Sequence, residues 1–258
     1  MAFLGGEKGV EVICLDDQTI GRSGGGRSGV WPISLSGDGT TVAYRLASMQ
    51  SQEQKYWVVF HGGESPSFDY AGLPTLSRNG RVIAYKATRN EDEHFIRIGE
   101  KEEPACDWVT DPAVSADGSI VAYAGSRRGR SFLKVNDKET PISGKPNSVF
   151  LSPDGRKVGW VELVEIPEGG SKMRVVAFNT TGKSHGLVGR PMISPTEDIV
   201  TYGCDEGQAK FVVIGTRKVE TPDRISDPVF SPDGRKVGYG ARIGRELWWK
   251  VLDVGTNR

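Results

Sequence analysis

The sequence predicts an all-β protein built from repeated four-stranded units, because one short phrase recurs six times along its 258 residues. Each copy begins with a serine, turns at a glycine in five of the six cases, and continues into an apolar stretch closed by an aromatic residue. The serines are Ser36, Ser77, Ser115, Ser152, Ser194 and Ser231, spaced 37 to 42 residues apart. A fixed period near 40 residues with strand-like patterning is typical of propeller blades. No segment carries the 3.6-residue periodicity of a long helix.

The third repeat shows how one unit divides into strands. Asp111–Ser115 is short and small, as an inner strand requires, and Ala116–Gly118 has the residue types of a hairpin turn. Ile120–Tyr123 is apolar throughout, which favours a second strand covered on both faces. Ser131–Val135 alternates as a third strand, and Thr140–Ser143 contains a proline that suits a fourth strand at the sheet edge.

The other repeats follow the same plan. Third strands are predicted at 56–60, 95–98, 173–176, 211–214 and 247–251. The aromatics that close the second strands are Tyr44, Tyr85, Tyr123, Trp160, Tyr202 and Tyr239. We expect them to be wedges between adjacent blades, each with its polar tip on a backbone group.

The two ends of the chain leave the number of blades open. Val10–Leu15 reads as a strand, and the last repeat supplies only three strands. The favoured arrangement places this N-terminal strand at the outer edge of the last blade, which closes a six-bladed propeller as one domain over residues 1–258. The alternative is a seven-bladed propeller, in which Met1–Phe3 and Val10–Leu15 are strands two and three of a further blade.

Composition limits the classes of partner and the compartment. The 33 basic and 33 acidic residues give a formal net charge of zero, which argues against nucleic acid as a partner. No apolar run reaches the length of a membrane helix, so we expect no membrane insertion and a soluble monomer. The sequence as it stands predicts a cytoplasmic protein, or a periplasmic one if a signal peptide has been removed. Three widely spaced cysteines predict free thiols.

Binding residues are predicted where the chain approaches the inner strands, because loops carried by a rigid scaffold are the usual place for function. The candidates vary between repeats, unlike the serine phrase: Trp31, Asp111, Asn147, Arg190 and Asp227, with Tyr70 and Trp108 in the preceding loops. Mixed charge beside aromatic residues favours a protein or peptide partner. The interpretation is a non-enzymatic binding scaffold with no catalytic residue and no cofactor.

An enzyme of the channel type is the alternative function. Asp111, Asn147 and Asp227 would then hold calcium at the mouth of the channel for a hydrolase or lactonase. The three histidines, His61, His94 and His185, show no metal-ligand spacing. A structural module of a larger protein is the third possibility.

The repeat resembles the TolB-type, WD-like β-propeller repeat, most closely at Ser152–Trp160 and Ser231–Tyr239. The resemblance extends from about residue 10 to residue 252. It implies a propeller that serves as a binding platform, since such repeats occur in TolB, a periplasmic partner-binding protein. They also occur in the propeller domains of prolyl-oligopeptidase-like enzymes and in many bacterial propellers.

Overall fold

The computed structural model describes residues 33–48, 54–167, 169–221 and 224–255, together with the strand backbones of Ala2–Glu7, Val10–Leu15, Gln18–Arg22 and Arg27–Ser28. All regular elements in these residues are β-strands, and they form antiparallel sheets. The chain divides into two compact units, Met1–Ile142 and Ser143–Arg258. The single domain over residues 1–258 stays a prediction.

The first unit contains four sheets. Their strands are β1 (Ala2–Glu7), β2 (Val10–Leu15), β3 (Gln18–Arg22); β4 (Arg27–Ser28), β5 (Ile33–Leu35), β6 (Val42–Ser48), β7 (Tyr56–Phe60), β8 (Gly63–Glu64); β9 (Tyr70–Ala71), β10 (Thr75–Leu76), β11 (Ile83–Arg89), β12 (Glu93–Ile98), β13 (Lys101–Glu102); β14 (Trp108–Val109), β15 (Ala113–Val114), β16 (Val121–Arg127), β17 (Arg130–Val135), β18 (Lys138–Pro141).

The second unit contains three sheets. Their strands are β19 (Lys145–Leu151), β20 (Val158–Glu165), β21 (Ser171–Ala177), β22 (Thr180–Thr181); β23 (Leu187–Val188), β24 (Met192–Ile193), β25 (Val200–Glu206), β26 (Ala209–Ile214), β27 (Arg217–Thr221); β28 (Arg224–Ile225), β29 (Val229–Phe230), β30 (Lys236–Ile243), β31 (Glu246–Asp253).

Most repeats have a first strand in two short pieces. In the second repeat, β9 and β10 both pair with β11. Gly72, Leu73 and Pro74 lie between β9 and β10 in the chain. Proline has no N–H to donate to the ladder, so the pairing is interrupted there. The fourth repeat lacks this proline, and its first strand, β19, is continuous with a bulge between Pro146 and Ser148. Asn147 therefore lies in the bulge.

The predicted four-stranded plan is confirmed for the first five repeats, with one shift. The third repeat's fourth strand is Lys138–Pro141 rather than Thr140–Ser143, because it pairs with β17 as a tight hairpin that begins at Val135 and Lys138. Pro141 lies on this edge strand, as expected.

The predicted place of the N-terminal strand is not confirmed. Val10–Leu15 pairs with β1 on one side and β3 on the other, so both of its hydrogen-bonding edges are occupied within its own sheet. Only two residues separate β1 from β2 and β2 from β3, and such short connections favour local hairpins over long-range pairing. The last sheet has no fourth strand in the residues described.

The apolar cores lie between successive sheets. In the first unit, Ala43, Val58 and Phe68 of one repeat pack with Ile83 and Tyr85 of the next. In the second unit, Val175 and Ala177 pack with Tyr202 and Val213 in the same way. A sheet with a neighbour on each side has both faces covered by this stacking, which explains why the second strands are apolar nearly throughout.

The described residues contain no helix that is long and apolar enough to cross a membrane.

Candidate functional site

The predicted binding residues are positioned by the interruption of the first strand. The residue two places before the interrupting proline donates its N–H to the second strand of its own repeat: Gly72 to Lys86, Thr110 to Ala124, Gly189 to Gly203 and Ser226 to Gly240, at 2.8 to 2.9 Å. The next residue is Leu73, Asp111, Arg190 or Asp227, and it projects from the ladder at the same place in each repeat. The same backbone hydrogen bond in each of these repeats therefore positions a residue whose type differs from one repeat to the next.

Asp111 in the first unit and Asp227 in the second make equivalent contacts with the preceding repeat. In the first unit, Asp111 Oδ1 lies 3.3 Å from Lys86 Nζ, and a Cβ at Gly72 would come within 2.9 Å of it. In the second, Asp227 Oδ1 accepts the backbone N–H of Arg190 at 3.0 Å, and a Cβ at Gly189 would come within 2.7 Å. Each aspartate thus fills the space that a glycine of the preceding repeat leaves open, which is a packing role.

Two of the predicted residues, Tyr70 and Trp108, line one cavity of about 290 Å³ in the first unit, together with Lys86, Thr88, Glu91 and His94. We call it groove 1. Tyr70 is 39% exposed and Trp108 is half-buried. Lys86 Nζ lies 5.7 Å from the centre of the Tyr70 ring, within the range of a cation–π contact.

Neighbouring side chains hold the walls of groove 1 in place. The Tyr56 ring meets Tyr70 edge-on at 5.7 Å, and the Arg45 guanidinium lies 5.1 Å from the Tyr56 ring centre while donating to Ala71 O at 2.8 Å. His94 Nδ1 and Thr88 Oγ1 are hydrogen-bonded at 2.9 Å. The groove therefore presents a fixed aromatic surface beside cationic and hydrogen-bonding groups.

The second unit has a groove at the equivalent place, with a different chemistry. This groove 2 also has a volume of about 290 Å³. Equivalent residues were matched by their position relative to the repeat serine and in the ladder. Leu187 is equivalent to Tyr70, and Arg224 is equivalent to Trp108. Gly203 is equivalent to Lys86, and Lys210 is equivalent to His94. Lys210 is paired with Asp205 at 2.6 Å. The same scaffold position thus carries aromatic residues in one unit and aliphatic and charged residues in the other.

Sequence reasoning missed Lys86 and His94. A signal for Lys86 did exist, because a lysine interrupts the apolar run Ile83-Ala84-Tyr85, and a charge in a covered strand needs a partner. Asp111, 25 residues on, is that partner. Trp31 lies outside the described residues. Asn147, Arg190 and Asp227 belong to the second unit, and Asp111, Tyr70 and Trp108 to the first.

Five of the six wedge aromatics are buried and Trp160 is half-buried. The predicted backbone contacts are wrong for the tips of Tyr123, Tyr202 and Trp160, and Trp160 Nε1 has no hydrogen-bond partner among the described residues. Tyr123 Oη donates to the carboxylate of Glu103 at 3.5 Å, and Tyr202 Oη meets His185 Nε2 at 3.4 Å. Burial raises the pKa of Tyr202 to about 12, so the phenol stays protonated. The two tyrosine tips reach side chains because Glu103 and His185 follow the fourth strand of the preceding repeat and are held against its third strand, by Glu103 N–H to Ile96 O and His185 N–H to Met173 O.

Glu103 is a buried carboxylate with two cationic partners. It is paired with Lys134 and, at 2.9 Å, with Lys101. Burial opposes its ionisation, but the hydrogen bonds from the two lysines outweigh burial and lower the pKa of Glu103. This cluster joins the second and third repeats and is structural.

The described residues do not contain three His, Cys, Asp or Glu side chains grouped as a metal site. His185 is buried beside Tyr202 and Glu206, and its Nδ1 lies 2.9 Å from Glu206 Oε1. Cys106 and Cys204 are free and buried, as the spacing of the cysteines predicts.

No protein-family model and no curated protein sequence matches the chain. Solved structures do. TolB from Acinetobacter baumannii has 14% identity and a TM-score of 0.45, over 89% of this chain and 61% of that chain. The β-propeller domain of the trilobed protease from Pyrococcus furiosus has 10% identity and a TM-score of 0.53, over 87% and 80%. The oligogalacturonate lyase of Vibrio parahaemolyticus has 11% identity and a TM-score of 0.52, over 83% and 73%.

The fold is a TolB-like β-propeller. At these identities the likeness concerns the fold alone, and the chain spans less than two thirds of TolB. Binding proteins and enzymes both share this fold, so the function has to be argued from the grooves.

Proposed function

We propose that this chain is a non-enzymatic propeller scaffold that binds a peptide segment of a partner protein in groove 1. The observation that carries the proposal is a pair of aromatic side chains, the exposed Tyr70 and the half-buried Trp108, in one cavity with Lys86. Tyrosine and tryptophan dominate the energetics of protein interfaces, and rings that are already held in place lose little entropy on binding.

Groove 1 is small. Drug-sized ligands usually occupy cavities of about 300 to 1,000 Å³, and groove 1 lies at the lower limit of this range. A cavity of about 290 Å³ accommodates one or two side chains. The remainder of the partner would then lie across the surrounding surface.

The calcium-dependent hydrolase is less well supported by the same residues. Asp111 already pairs with Lys86 and fills the space at Gly72. Asp227 already accepts the backbone N–H of Arg190. Asn147 lies in a bulge of the second unit. No described cluster adds a nucleophile and a general base to these carboxylates, so the scaffold is the better proposal.

The test is selection of peptides from a random displayed library on the wild-type chain, followed by calorimetry with the selected peptides. In the Tyr70→Ala/Trp108→Ala variant we expect binding weaker by about 30-fold or more, since two anchors each worth about 1–2 kcal/mol are removed. These residues are better choices than Asp111 and Asp227, whose removal would disturb packing.

Leu187→Ala is the matched control. Leu187 is the groove 2 equivalent of Tyr70 and is 50% exposed. Its loss is expected to leave affinity within about twofold, because it does not touch groove 1. Thermal melting shows that each variant is folded. A library that yields no binder, or selected peptides that bind the double variant as well as the wild type, would contradict the proposal.

The proposal includes a closed ring, one domain and a monomeric state. The seven sheets found in the described residues favour the seven-bladed alternative over six blades, since the three N-terminal strands form a sheet of their own. The N-terminal residues would then close the ring with a blade rather than with a single strand. We propose a cytoplasmic location, or a periplasmic one if a signal peptide directs export.

A further inference from the structure

The last sheet lacks a strand that each of the other repeats has. In the first five repeats, a fourth strand pairs with the outer edge of the third strand. In the sixth repeat the third strand is β31, and among the strands of the described residues it pairs with β30 alone. The outer edge of β31, over Glu246–Asp253, is therefore unpaired. An edge of this kind is a template on which another chain can form a strand.

The ladder register identifies the backbone groups that lie on this edge. A two-residue hairpin joins Ile243 to Glu246, and hydrogen-bonded pairs alternate along an antiparallel ladder from such a closing pair. Leu247, Trp249 and Val251 therefore direct their N–H and C=O groups away from β30. The residues equivalent to Trp249 accept an N–H from the fourth strand at 2.8 to 2.9 Å: Val58 from Ser65, Ile96 from Glu103 and Val175 from Gly182.

The chain does not turn back after β31 to supply the missing strand. In the first five repeats, the residue after the third strand has a positive φ, 50° to 58°, and begins a hairpin: His61, Gly99, Asn136, Phe178 and Gly215. The equivalent residue of the last repeat, Leu252, is not left-handed and continues the ladder opposite Val237. Arg217 donates to Asp253 O at 2.6 Å and holds this extension. The strand that fits the edge is thus not a local hairpin.

The other repeats indicate which charge the added strand should carry. At one position of the fourth strand, the first three repeats have a glutamate: Glu64, Glu102 and Glu139. Two of these glutamates face a cation of the third strand, Arg97 or Lys134, and Arg97 forms an ion pair with its glutamate at 3.1 Å. Lys250 holds the same position in the last repeat, and no carboxylate pairs with it in the part of the chain that is described. A glutamate on the added strand would supply that carboxylate.

The same fourth strands also share a proline two residues after the glutamate: Pro66, Pro104 and Pro141. Pro141 faces Phe132, at a non-hydrogen-bonded position of the ladder, where the absence of an N–H costs no bond. The residue between the glutamate and the proline does donate its N–H to the third strand, as Glu103 does to Ile96 at 2.9 Å. The pattern that fits a third-strand edge is therefore Glu-x-Pro.

We propose that the outer edge of β31 binds an extended segment of a partner protein as the missing fourth strand. The segment runs antiparallel to β31, with a Glu-x-Pro pattern that places its glutamate opposite Lys250. Backbone hydrogen bonds provide the affinity, and the ion pair fixes the register. A strand at this edge leaves both faces of the sheet free for neighbouring sheets, as it does in the first five repeats. The site lies in the second unit and is a second site beyond groove 1.

The test uses fluorescence anisotropy with a labelled peptide, Gly-Lys-Glu-Thr-Pro-Ile-Ser-Gly, whose central six residues copy positions 138–143 of this chain. We expect it to bind the wild-type protein with a dissociation constant on the order of 100 μM. The control is its isomer Gly-Lys-Glu-Pro-Thr-Ile-Ser-Gly, which places the proline opposite Trp249 and removes the N–H needed there. The isomer is expected to bind about 10-fold more weakly or less.

Charge reversal tests the register. Lys250→Glu is expected to lower the affinity for the first peptide by about fivefold, and to bind a peptide with lysine in place of the glutamate more tightly than the wild type does. Lys172→Glu makes the same change at an exposed site on the third strand of the fourth repeat and should stay within about twofold. The Tyr70→Ala/Trp108→Ala variant should bind as the wild type does, which separates this site from groove 1. Thermal melting shows that each variant is folded.

Four results would overturn the proposal. The first three are no peptide binding at about 1 mM, equal binding of the two isomers to the wild type, and a charge reversal without effect on either peptide. The fourth is a dimer in light scattering that Lys250→Glu dissociates, since a second copy of this chain would then occupy the edge.

Discussion

In five of the six repeats, the side chain of the serine helps to close the turn through hydrogen bonds. In the third repeat, Ser115 Oγ accepts the N–H of Ile120 at 3.0 Å and donates to Asp117 Oδ1 at 2.7 Å. Asp117 in turn accepts the N–H of Ser119 at 3.0 Å. The same pattern is found at Ser36, Ser77, Ser152 and Ser231. The turn is therefore closed by side-chain bonds as well as by the backbone.

These bonds make the turns sensitive to acid. Hydrogen bonds from Ser119 and Ser115 lower the pKa of Asp117 to about 2 from its ordinary 3.8. A carboxyl group with a lowered folded-state pKa stabilises the fold above its ordinary pKa, and this contribution is lost as the pH falls through the folded value. The window for loss of stability thus runs from about pH 4 down to about pH 2.

Asp117→Asn is expected to reduce this acid sensitivity while keeping the turn. Asn79 already holds the same position in the second repeat and makes the same two bonds, at 2.7 and 3.1 Å. The urea midpoint measured at pH 7, 4 and 2.5 should fall less in the variant than in the wild type. Asp92→Asn, in an exposed hairpin, is the control and should leave the wild-type pH dependence unchanged. An identical fall in all three proteins would contradict the assignment.

At this scale the sequence predicted the turns well and the partners poorly. Asp-Gly within the serine phrase indicates a turn by local chemistry alone. The contact of Lys86 with Asp111, or of Tyr202 with His185, joins different repeats, and no local pattern specifies it. Tyr70 and Trp108 were predicted as binding residues, but their meeting in one cavity follows from the stacking of two sheets.

The turns of successive repeats also touch each other, and this is visible at the glycines. Gly39 and Gly118 both have positive φ angles, 75° and 78°. A Cβ at Gly39 would meet no atom of the described residues within 4 Å, whereas a Cβ at Gly118 would lie 2.7 Å from Val82 Cγ2 of the preceding repeat. The first glycine is needed for its backbone angle alone, and the second also for close packing between sheets.

Gly118→Ala is therefore expected to destabilise the protein more than Gly39→Ala. The left-handed backbone costs about 1–2 kcal/mol in each variant, and overpacking adds about 1–3 kcal/mol only at position 118. Urea unfolding of both variants gives the comparison, with Gly39→Ala as the matched control. Equal losses of unfolding free energy in the two variants would show that the turns do not pack as described.

The strands themselves were the most predictable elements. Third strands were placed correctly because their alternation is strong, and the fourth strand of the third repeat was placed two residues too late because its sequence alternates weakly. The N-terminal strand was assigned to the wrong neighbours because the sequence of a β-strand does not specify which strand it pairs with. Two-residue connections decided the pairing instead.

For the molecule as a whole, closure of the ring can be tested from the N-terminal sheet. If residues 2–22 form the closing blade, their deletion removes apolar burial from the remaining chain. The melting temperature should then fall by several degrees, at about 2–4 °C for each kcal/mol lost. Replacing Asp16 and Asp17 by Asn-Gly, a favoured hairpin pair, keeps the sheet and should preserve the melting temperature. A deletion variant that melts like the wild type would contradict closure.

The contact of Gly72 with Asp111, and of Gly189 with Asp227, bears on how such a chain can grow or be rebuilt. One half of each pair belongs to one repeat and the other half to the next. A duplication cut at the serines would carry the aspartate without its glycine, and a bulkier residue there would collide with the carboxylate. The segment that can be copied or exchanged with the contact intact runs from Gly72 to Asp111. The repeat that can be duplicated is therefore offset from the repeat that the serines mark in the sequence.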